Sequence, residues 1–216
     1  MKILFLFAGP NGSGKSTAIT QTLDAYPECV YINADYCARS DPHILEMPDG
    51  VERSIKAWEE TERQFSEMLS SDVCFAWETV FSHHSRLAFM EHVKTAGYRI
   101  RLTYVMTKNP DINVARVRRR VLDGGHDVPE EKIRKRYERS VGFLPAMILV
   151  ADEALVYDNS YDDCEPLLVF QKGLDDIGSP DCSMMNRELM DEEVYRWVLD
   201  RVIGPLEMKG IYCQRE

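Results

Sequence analysis

A glycine-rich segment near the start of the chain constrains the fold more than any other feature. It matches the pattern G-x-x-x-x-G-K-[ST] and reads Gly9, Pro10, Asn11, Gly12, Ser13, Gly14, Lys15 and Ser16, with Thr17 directly after it. Residues 3–8 form an apolar run that predicts a buried strand at 2–8, before the segment, and residues 15–25 predict a helix after it. In that context the glycines let backbone N–H groups converge on a phosphate at the helix N-terminus. We therefore predict that these residues bind a nucleotide; a glycine-rich turn without a ligand is the alternative.

Within this loop, Lys15 is predicted to reach the β- and γ-phosphates and the Ser16 hydroxyl to bind Mg²⁺. The loop alone does not show what the nucleotide is for, because GTPases, motor ATPases and small-molecule kinases share it. A GTPase usually recognises guanine through [NT]-K-x-D, and the segment 107–111 (TKNPD) places its aspartate one residue too late. No apolar strand ends in the acid pair expected of a motor or transport ATPase. These observations favour a kinase.

Short apolar runs alternate with longer amphipathic segments, which predicts strands joined by crossover helices. The fold class is α/β, a parallel sheet of about five strands flanked by helices, with a helical lid and a short C-terminal appendage. Strands are predicted at 2–8, 29–33, 73–78, 99–106 and 153–158, and helices at 15–25, 51–69, 85–96, 110–122, 129–148 and 191–203. We expect residues 1–160 to form the domain. An extra strand at 165–172, a loop at 173–183 and the last helix, all within 161–216, are expected to pack on it.

Composition limits the cell compartment and the partners. The 216 residues carry a net charge of −10, which argues against a broad nucleic-acid-binding surface. The six cysteines show no C-x-x-C pair and no zinc-site spacing, so a reduced, cytoplasmic setting is expected. No apolar stretch is long enough to cross a bilayer, and no membrane partner is expected.

Two predicted strands end in acidic residues: Asp35 follows the second, and Glu78 and Thr79 end the third. Ligands of open α/β sheets gather at the carboxyl ends of the strands, so both carboxylates should face the transferred phosphate. Asp35 suits the base that accepts a hydroxyl proton, and Glu78 suits acceptor binding or an outer contact to magnesium. A helix cap is the alternative role for Asp35.

The segment 108–140 is predicted to be a lid of two helices with a bend at Gly124 and Gly125. It carries a net charge of +4 between Lys108 and Arg139, which leaves −14 for the rest of the chain. Arginines on a mobile helical hairpin can neutralise the charge of a transferred phosphoryl group. The candidates are Arg116, Arg120, Arg136 and Arg139. A solvated charged face and a short basic patch for RNA are the alternatives.

With these pieces placed, the chain resembles the zeta-toxin family of P-loop kinases, in its compact stand-alone branch. The resemblance covers about residues 1–160, through GPNGSGKST, INAD, FAWETVFS, AGYRI, RVRRRVLDGGHDVPEEKIRKRYERS and VYDNS. It implies a kinase that uses ATP and Mg²⁺, and the toxins of this family phosphorylate UDP-N-acetylglucosamine. It also implies an antitoxin protein as a partner.

By position, the resemblance assigns nucleotide and metal to Lys15 and Ser16, the catalytic base to Asp35 and acceptor contacts to Glu78 and Thr79. It assigns charge stabilisation to the four lid arginines, and it places Asn159, after the last core strand, near the adenine. The chain departs from the family's ETT motif, because Val80 follows Thr79. Kinases of a nucleoside, a sugar or an antibiotic, and a nucleotide-gated interaction module without turnover, are the alternatives to a nucleotide-sugar kinase.

Overall fold

The computed structural model describes residues 2–48, 50–125, 127–174 and 180–215, and within these ranges the side chains at positions 35, 39, 174 and 180 are not described. Five strands form the parallel part of the sheet: β1 (Ile3–Ala8), β2 (Val30–Ile32), β3 (Phe75–Thr79), β4 (Arg99–Met106) and β5 (Glu153–Asp158). Three more follow: β6 (Leu167–Leu174), β7 (Pro180–Met184) and β8 (Cys213–Arg215). Together they make one eight-stranded sheet of order β2-β3-β1-β4-β5-β6-β7-β8.

The helices that connect the parallel strands are α1 (Lys15–Ala25), α2 (Ala34–Ser40), α3 (Pro42–Leu45), α4 (Val51–Ser71), α5 (Ser85–Thr95), α6 (Pro110–Leu122) and α7 (Glu130–Val150). After β7 come a 3₁₀ turn at Arg187–Leu189, then α8 (Glu192–Val198), a π-helical turn at Leu199–Ile203 and α9 (Gly204–Glu207). None of the helices in the described part of the chain has both the length and the apolar character needed to cross a membrane.

Strand β1 lies at the centre of the parallel part, between β3 and β4, and all six of its residues are buried. Such a strand has helices on both of its faces, which is why it reads as a continuous apolar run rather than an alternating one. On one face, Leu4 and Leu6 join the larger core with side chains of α4, α5 and α7, whereas Phe5 and Phe7 pack towards α1 on the other. This burial fixes the carboxyl end of β1, from which the glycine-rich loop departs.

The strand count predicted from the sequence was too low, and the predicted loop at 173–183 was wrong at both of its ends. Strand β6 reaches Leu174 and pairs antiparallel with β5, and β7 begins at Pro180 and pairs antiparallel with β6; residues 175–179 lie outside the described part. The glycine, proline and aspartate that suggested a loop are partly strand residues near a reversal. Pro180 is tolerated because it is the first residue of β7, one of the positions that proline can occupy in a sheet.

Helices α2 and α3 were not predicted either, because at seven and four residues they are too short to show a helical period. The start of α3 does carry a local signal. Asp41 accepts hydrogen bonds from the backbone N–H groups of His43 at 2.9 Å and Ile44 at 3.2 Å, and Pro42 occupies the first turn. These two helices form the connection between β2 and α4, which leaves the sheet at the carboxyl-terminal end of β2, the end of the parallel strands at which the glycine-rich loop also lies.

Candidate active site

The glycine-rich loop, residues 9–16, adopts a conformation that its glycines make possible. Gly9 and Gly14 have φ angles of 145° and 94°, in the region that side chains rarely adopt. Close packing adds a second requirement: a Cβ at Gly9 would lie 2.3 Å from the carbonyl oxygen of Val105, and one at Gly14 would lie 2.2 Å from Nδ2 of Asn159. The loop is therefore held against β4 and against the residues that follow β5.

The side chain of Lys15 lies back across this loop. It is 7% exposed, and its ammonium group donates hydrogen bonds to the carbonyl oxygens of Gly9 at 3.0 Å and Pro10 at 3.1 Å. The carboxylate of Glu78 lies 3.9 Å from the same nitrogen. These oxygen atoms offset the cost of burying the charged ammonium group. They also hold the group near the start of α1, where the phosphates of a nucleotide would bind.

The start of α1 fits a phosphate and a magnesium ion. Gly14 is its N-cap residue, and no side chain of the described residues caps it, so backbone N–H groups of the first turn remain available to an anion. Ser16 and Thr17 are exposed there. No three His, Cys, Asp or Glu side chains gather into a metal site within the described ranges. The Ser16 hydroxyl and the phosphate oxygens of a bound nucleotide are groups that would hold a Mg²⁺ ion here.

Glu78 lies at the centre of a small polar cluster at the end of β3. Its Oε2 accepts hydrogen bonds from the hydroxyl of Tyr31 and the amide of Asn33, both at the end of β2. The neighbouring Thr79 stabilises the turn that follows β3: its hydroxyl oxygen accepts a 3.1 Å hydrogen bond from the backbone N–H of Phe81. The sequence analysis did not find Tyr31 and Asn33, although their position at a strand end beside Asp35 is the signal that could have found them.

Asp35 is the second residue of α2, and its side chain lies outside the described part of the structure. Its backbone lies three residues beyond the end of β2, at the same carboxyl-terminal ends of the parallel strands where Lys15 and Glu78 lie. The capping role is taken by Asn33, whose side-chain oxygen accepts a 3.1 Å hydrogen bond from the backbone N–H of Tyr36. A helix cap is therefore not needed from Asp35.

The four lid arginines differ in exposure and in their contacts. Arg116 donates to the carbonyl oxygen of Asn159 at 2.7 Å and to the carboxylate of Asp162 at 2.8 Å. Arg136 reaches the glycine-rich loop, where it donates a 3.4 Å hydrogen bond to the side-chain oxygen of Asn11. Arg120 and Arg139 are exposed on the surface of the helical hairpin. Arg116 and Arg136 thus contact residues of the site, whereas Arg120 and Arg139 are exposed to solvent.

A buried asparagine that the sequence analysis missed braces the loop from α6. Asn113 is fully buried, and its amide donates a 2.7 Å hydrogen bond to the carbonyl oxygen of Asn11. Its own side-chain oxygen accepts a hydrogen bond from the hydroxyl of Thr107. The only available sequence signal was a polar residue on the apolar face of a helix. Asn113 therefore links α6, the first helix of the lid, to the glycine-rich loop by a hydrogen bond.

A pocket of about 200 Å³ lies beside the loop, between the residues that follow β5 and the segment around α8. Asn159 lines it and also donates a 2.8 Å hydrogen bond to the carbonyl oxygen of Ser13. Asp158 lies at its inner wall, 4% exposed, and burial raises the pKa of that carboxyl while a hydrogen bond from Ser160 partly offsets the shift. Met190 and Val194 supply apolar lining from the C-terminal segment.

Comparison with known proteins agrees with this architecture. The AAA_33 family model, described as an AAA domain, matches residues 4–140. A protein of Haemophilus influenzae described as uncharacterized is 30% identical over 132 residues, which are 61% of this chain and 89% of that protein.

Three solved structures illustrate the likeness of fold. One comes from work on the PezAT chromosomal toxin-antitoxin system of Streptococcus pneumoniae, with a TM-score of 0.59 and 18% identity over 74% of this chain and 69% of that chain. The AvrRxo1-ORF1:-ORF2 complex with ATP gives a TM-score of 0.64 and 15% identity over 88% of this chain, which spans 62% of that chain. A putative kinase from Chloroflexus aurantiacus gives a TM-score of 0.50 and 18% identity over 64% of this chain and 78% of that chain.

The predicted fold class and the predicted resemblance are both confirmed. The chain belongs to the AAA_33 family, and its fold is that of the zeta-toxin-like P-loop kinases.

Proposed function

We propose that the protein is an ATP-dependent small-molecule kinase that transfers the γ-phosphoryl group to a hydroxyl of its acceptor. The observation that carries this proposal is the 3.9 Å approach of the Lys15 ammonium and the Glu78 carboxylate at the carboxyl ends of β1 and β3. The Lys15 ammonium, a cation for the phosphates, and the polar cluster around Glu78, which suits an acceptor, therefore lie together at the carboxyl-terminal ends of the parallel strands. A protein that only bound nucleotide would need the first of these and not the second.

In this proposal ATP binds at the glycine-rich loop, where Ser16 would hold the Mg²⁺ ion and the ion would supply positive charge to offset that of the phosphates. The acceptor hydroxyl oxygen bonds to the γ-phosphorus, the bond from that phosphorus to the ADP oxygen breaks, and Asp35 takes the hydroxyl proton. Lys15 and Arg136 stabilise the negative charge on the moving group. Glu78, held by Tyr31 and Asn33, orients the acceptor with Thr79, and Arg120 and Arg139 contribute only when the lid closes.

The pocket beside the loop is proposed as the site of the nucleotide base. It is smaller than the cavities of about 300–1,000 Å³ that enclose whole drug-sized ligands, and so it suits one part of a ligand. Asn159 connects it to the loop through its hydrogen bond to Ser13, and Arg116 fixes Asn159 from α6. Because Met190 and Val194 line the pocket, we propose that residues 161–216 serve the same site as residues 1–160.

For the acceptor, we propose UDP-N-acetylglucosamine or a related nucleotide sugar. The support is the resemblance of motifs to the zeta-toxin family and the likeness of fold to a structure from a toxin-antitoxin system. The same support makes an antitoxin protein a candidate partner. The chain's acidic net charge of −10 supports neither a nucleic-acid partner nor a nucleic-acid acceptor.

The test is a screen of Mg²⁺-dependent ADP release with ATP and a panel of acceptors. The panel contains UDP-N-acetylglucosamine, other nucleotide sugars, nucleosides and free sugars, with Lys15→Ala as the blank. We expect release that depends on one class of acceptor and is absent in the blank. ATP hydrolysis at the same slow rate with every acceptor would contradict the proposal and favour a nucleotide-gated interaction module.

A further inference from the structure

Arg86 in the first turn of α5 is held by an aromatic ring rather than by an acid. The central carbon of its guanidinium group lies 3.3 Å from the centroid of the Trp58 ring and 5.8 Å from that of Trp77. Stacking of this kind uses the face of the guanidinium group and leaves its N–H donors, which lie in the plane, directed outward. The side chain is therefore fixed in position with its hydrogen-bonding edge unused by the stack.

Arg86 lies near the carboxyl-terminal ends of the parallel strands, where the candidate active site also lies. Helix α5 begins six residues after the end of β3, and Trp77 is the neighbour of Glu78 in that strand. Trp58 belongs to the first half of α4, against which α2, the helix that contains Asp35, packs. The stacked pair thus borders the region between α2 and the end of β3, where the proposed acceptor lies.

The guanidinium group of Arg86 has no hydrogen bond or ion pair with any residue in the described ranges of the chain. By contrast, Arg63 pairs with Glu60 and Glu67 on the exposed side of α4. Burial lowers the pKa of Arg86 to about 10, and the charge of Glu62 opposes that shift only through space. A partly buried cation without a counter-ion is unfavourable for stability, which points to an anion supplied from outside the chain.

We propose that Arg86, oriented by Trp58, binds a phosphate or carboxylate group of the acceptor and thereby selects acceptors that carry a negative charge. The planar donor edge of a guanidinium group matches two oxygens of such an anion. This inference rests on the proposed kinase function, and it narrows the acceptor to a charged molecule. It makes Arg86 a residue that determines specificity and leaves the transfer of the phosphoryl group to the residues around Lys15.

The test compares acceptors in matched pairs that differ in charge. UDP-N-acetylglucosamine is paired with N-acetylglucosamine, and a nucleoside monophosphate with its nucleoside. For Arg86→Gln we expect the KM of the charged acceptor to rise about 10- to 100-fold, the range that corresponds to losing hydrogen bonds to a charged group. The kcat at saturation, the KM of ATP and the rates with the uncharged partner are expected to stay within about twofold.

Two further variants separate binding from packing. Arg86→Lys keeps the charge but loses the two-pronged geometry, so its KM for the charged acceptor is expected to lie between those of the wild type and Arg86→Gln. Arg63→Gln removes an exposed arginine of α4 and should leave every constant unchanged. Equal KM values for the charged acceptor in the wild type and Arg86→Gln would overturn the inference and leave the kinase proposal intact.

A binding measurement keeps the inference testable without turnover. Trp58 and Trp77 lie within reach of the proposed anion, so their fluorescence should change saturably when pyrophosphate or UDP-N-acetylglucosamine is added. We expect the change to disappear in Arg86→Gln and to persist in Arg63→Gln. That result without any acceptor-dependent ADP release would support the anion site and refute the kinase proposal. No saturable change in the wild type would refute the anion site.

Discussion

The side-chain amide of Asn159 donates a 2.8 Å hydrogen bond to the carbonyl oxygen of Ser13 and so joins the segment after β5 to the glycine-rich loop. The same amide also packs closely against Gly14, because a Cβ added at Gly14 would lie 2.2 Å from its nitrogen. Asn159 also lines a pocket together with Met190 and Val194, so one residue belongs both to the support of the loop and to the pocket.

Replacing Asn159 by alanine should therefore weaken nucleotide binding. The loss of one largely buried hydrogen bond is expected to lower the free energy of unfolding by about 1 kcal/mol. The Kd of ATP should rise several-fold because the loop is less well held. Isothermal titration with ATP measures the second effect. Asp163→Asn, an exposed change in the same loop, is the control. An unchanged Kd in Asn159→Ala would contradict the placement of the base beside this residue.

The buried chain from Thr107 through Asn113 to Asn11 should behave as one unit. Removing the amide in Asn113→Ala takes away the hydrogen bond to the carbonyl of Asn11 and leaves the Thr107 hydroxyl with only its longer, 3.3 Å hydrogen bond to the carbonyl oxygen of Asn109. We expect a loss of about 1–3 kcal/mol in the free energy of unfolding, measured by urea denaturation. In a double-mutant cycle, Thr107→Val and Asn113→Ala should be less destabilising together than the sum of the two. Additive effects would mean that the two side chains act independently.

Arg136, one of the lid arginines, contacts the phosphate loop through Asn11. If its contact strengthens as charge develops on the transferred group, Arg136→Ala should lower kcat by about 10²–10³ and change the Kd of ATP by much less. Its neighbour Lys135 is exposed and pairs with Glu131, so Lys135→Ala serves as the control. Equal losses in kcat and in ATP affinity would instead make Arg136 a ligand of the bound nucleotide in its ground state.

Asp158 should make stability depend on pH in a defined direction. Burial raises the pKa of this carboxyl above its ordinary value of 3.8, so the folded protein holds the proton more tightly than the unfolded chain. The penalty for ionisation is therefore absent below 3.8 and develops as the pH rises through the raised pKa. We expect the stability of the wild type relative to Asp158→Asn to fall over that interval. Chemical denaturation of both proteins across it measures the difference, and a constant difference would refute the assignment.

The sequence was most informative where one local rule decided the structure. The loop of residues 9–16, the strand before it and the helix after it follow from glycine chemistry and from an unbroken apolar run, and all three have the predicted positions. Asn109 and Pro110 likewise show the start of α6, where Asn109 accepts a 3.1 Å hydrogen bond from the backbone N–H of Asp111.

Pairing between distant segments was beyond the sequence. The strand predicted at 165–172 corresponds to β6, but its antiparallel pairing with β5 and the strands β7 and β8 were not predicted, because no local pattern records which strands pair. The site residues show the same limit. Tyr31 and Asn33 matter because they hold Glu78, some 45 residues away along the chain. Which lid arginines contact other residues of the site depends on how the helices pack, and the sequence alone could not show that Arg116 and Arg136 do so.

The most direct test of the account is ADP release by Asp35→Asn with the best acceptor of the screen, measured beside ATP binding by the same protein. If Asp35 accepts the hydroxyl proton, turnover should fall by about 10²–10⁴, while the Kd of ATP stays close to that of the wild type. Asp24→Asn, an exposed change on α1, is the control. Turnover of Asp35→Asn at the wild-type rate would contradict the proposed mechanism at its centre.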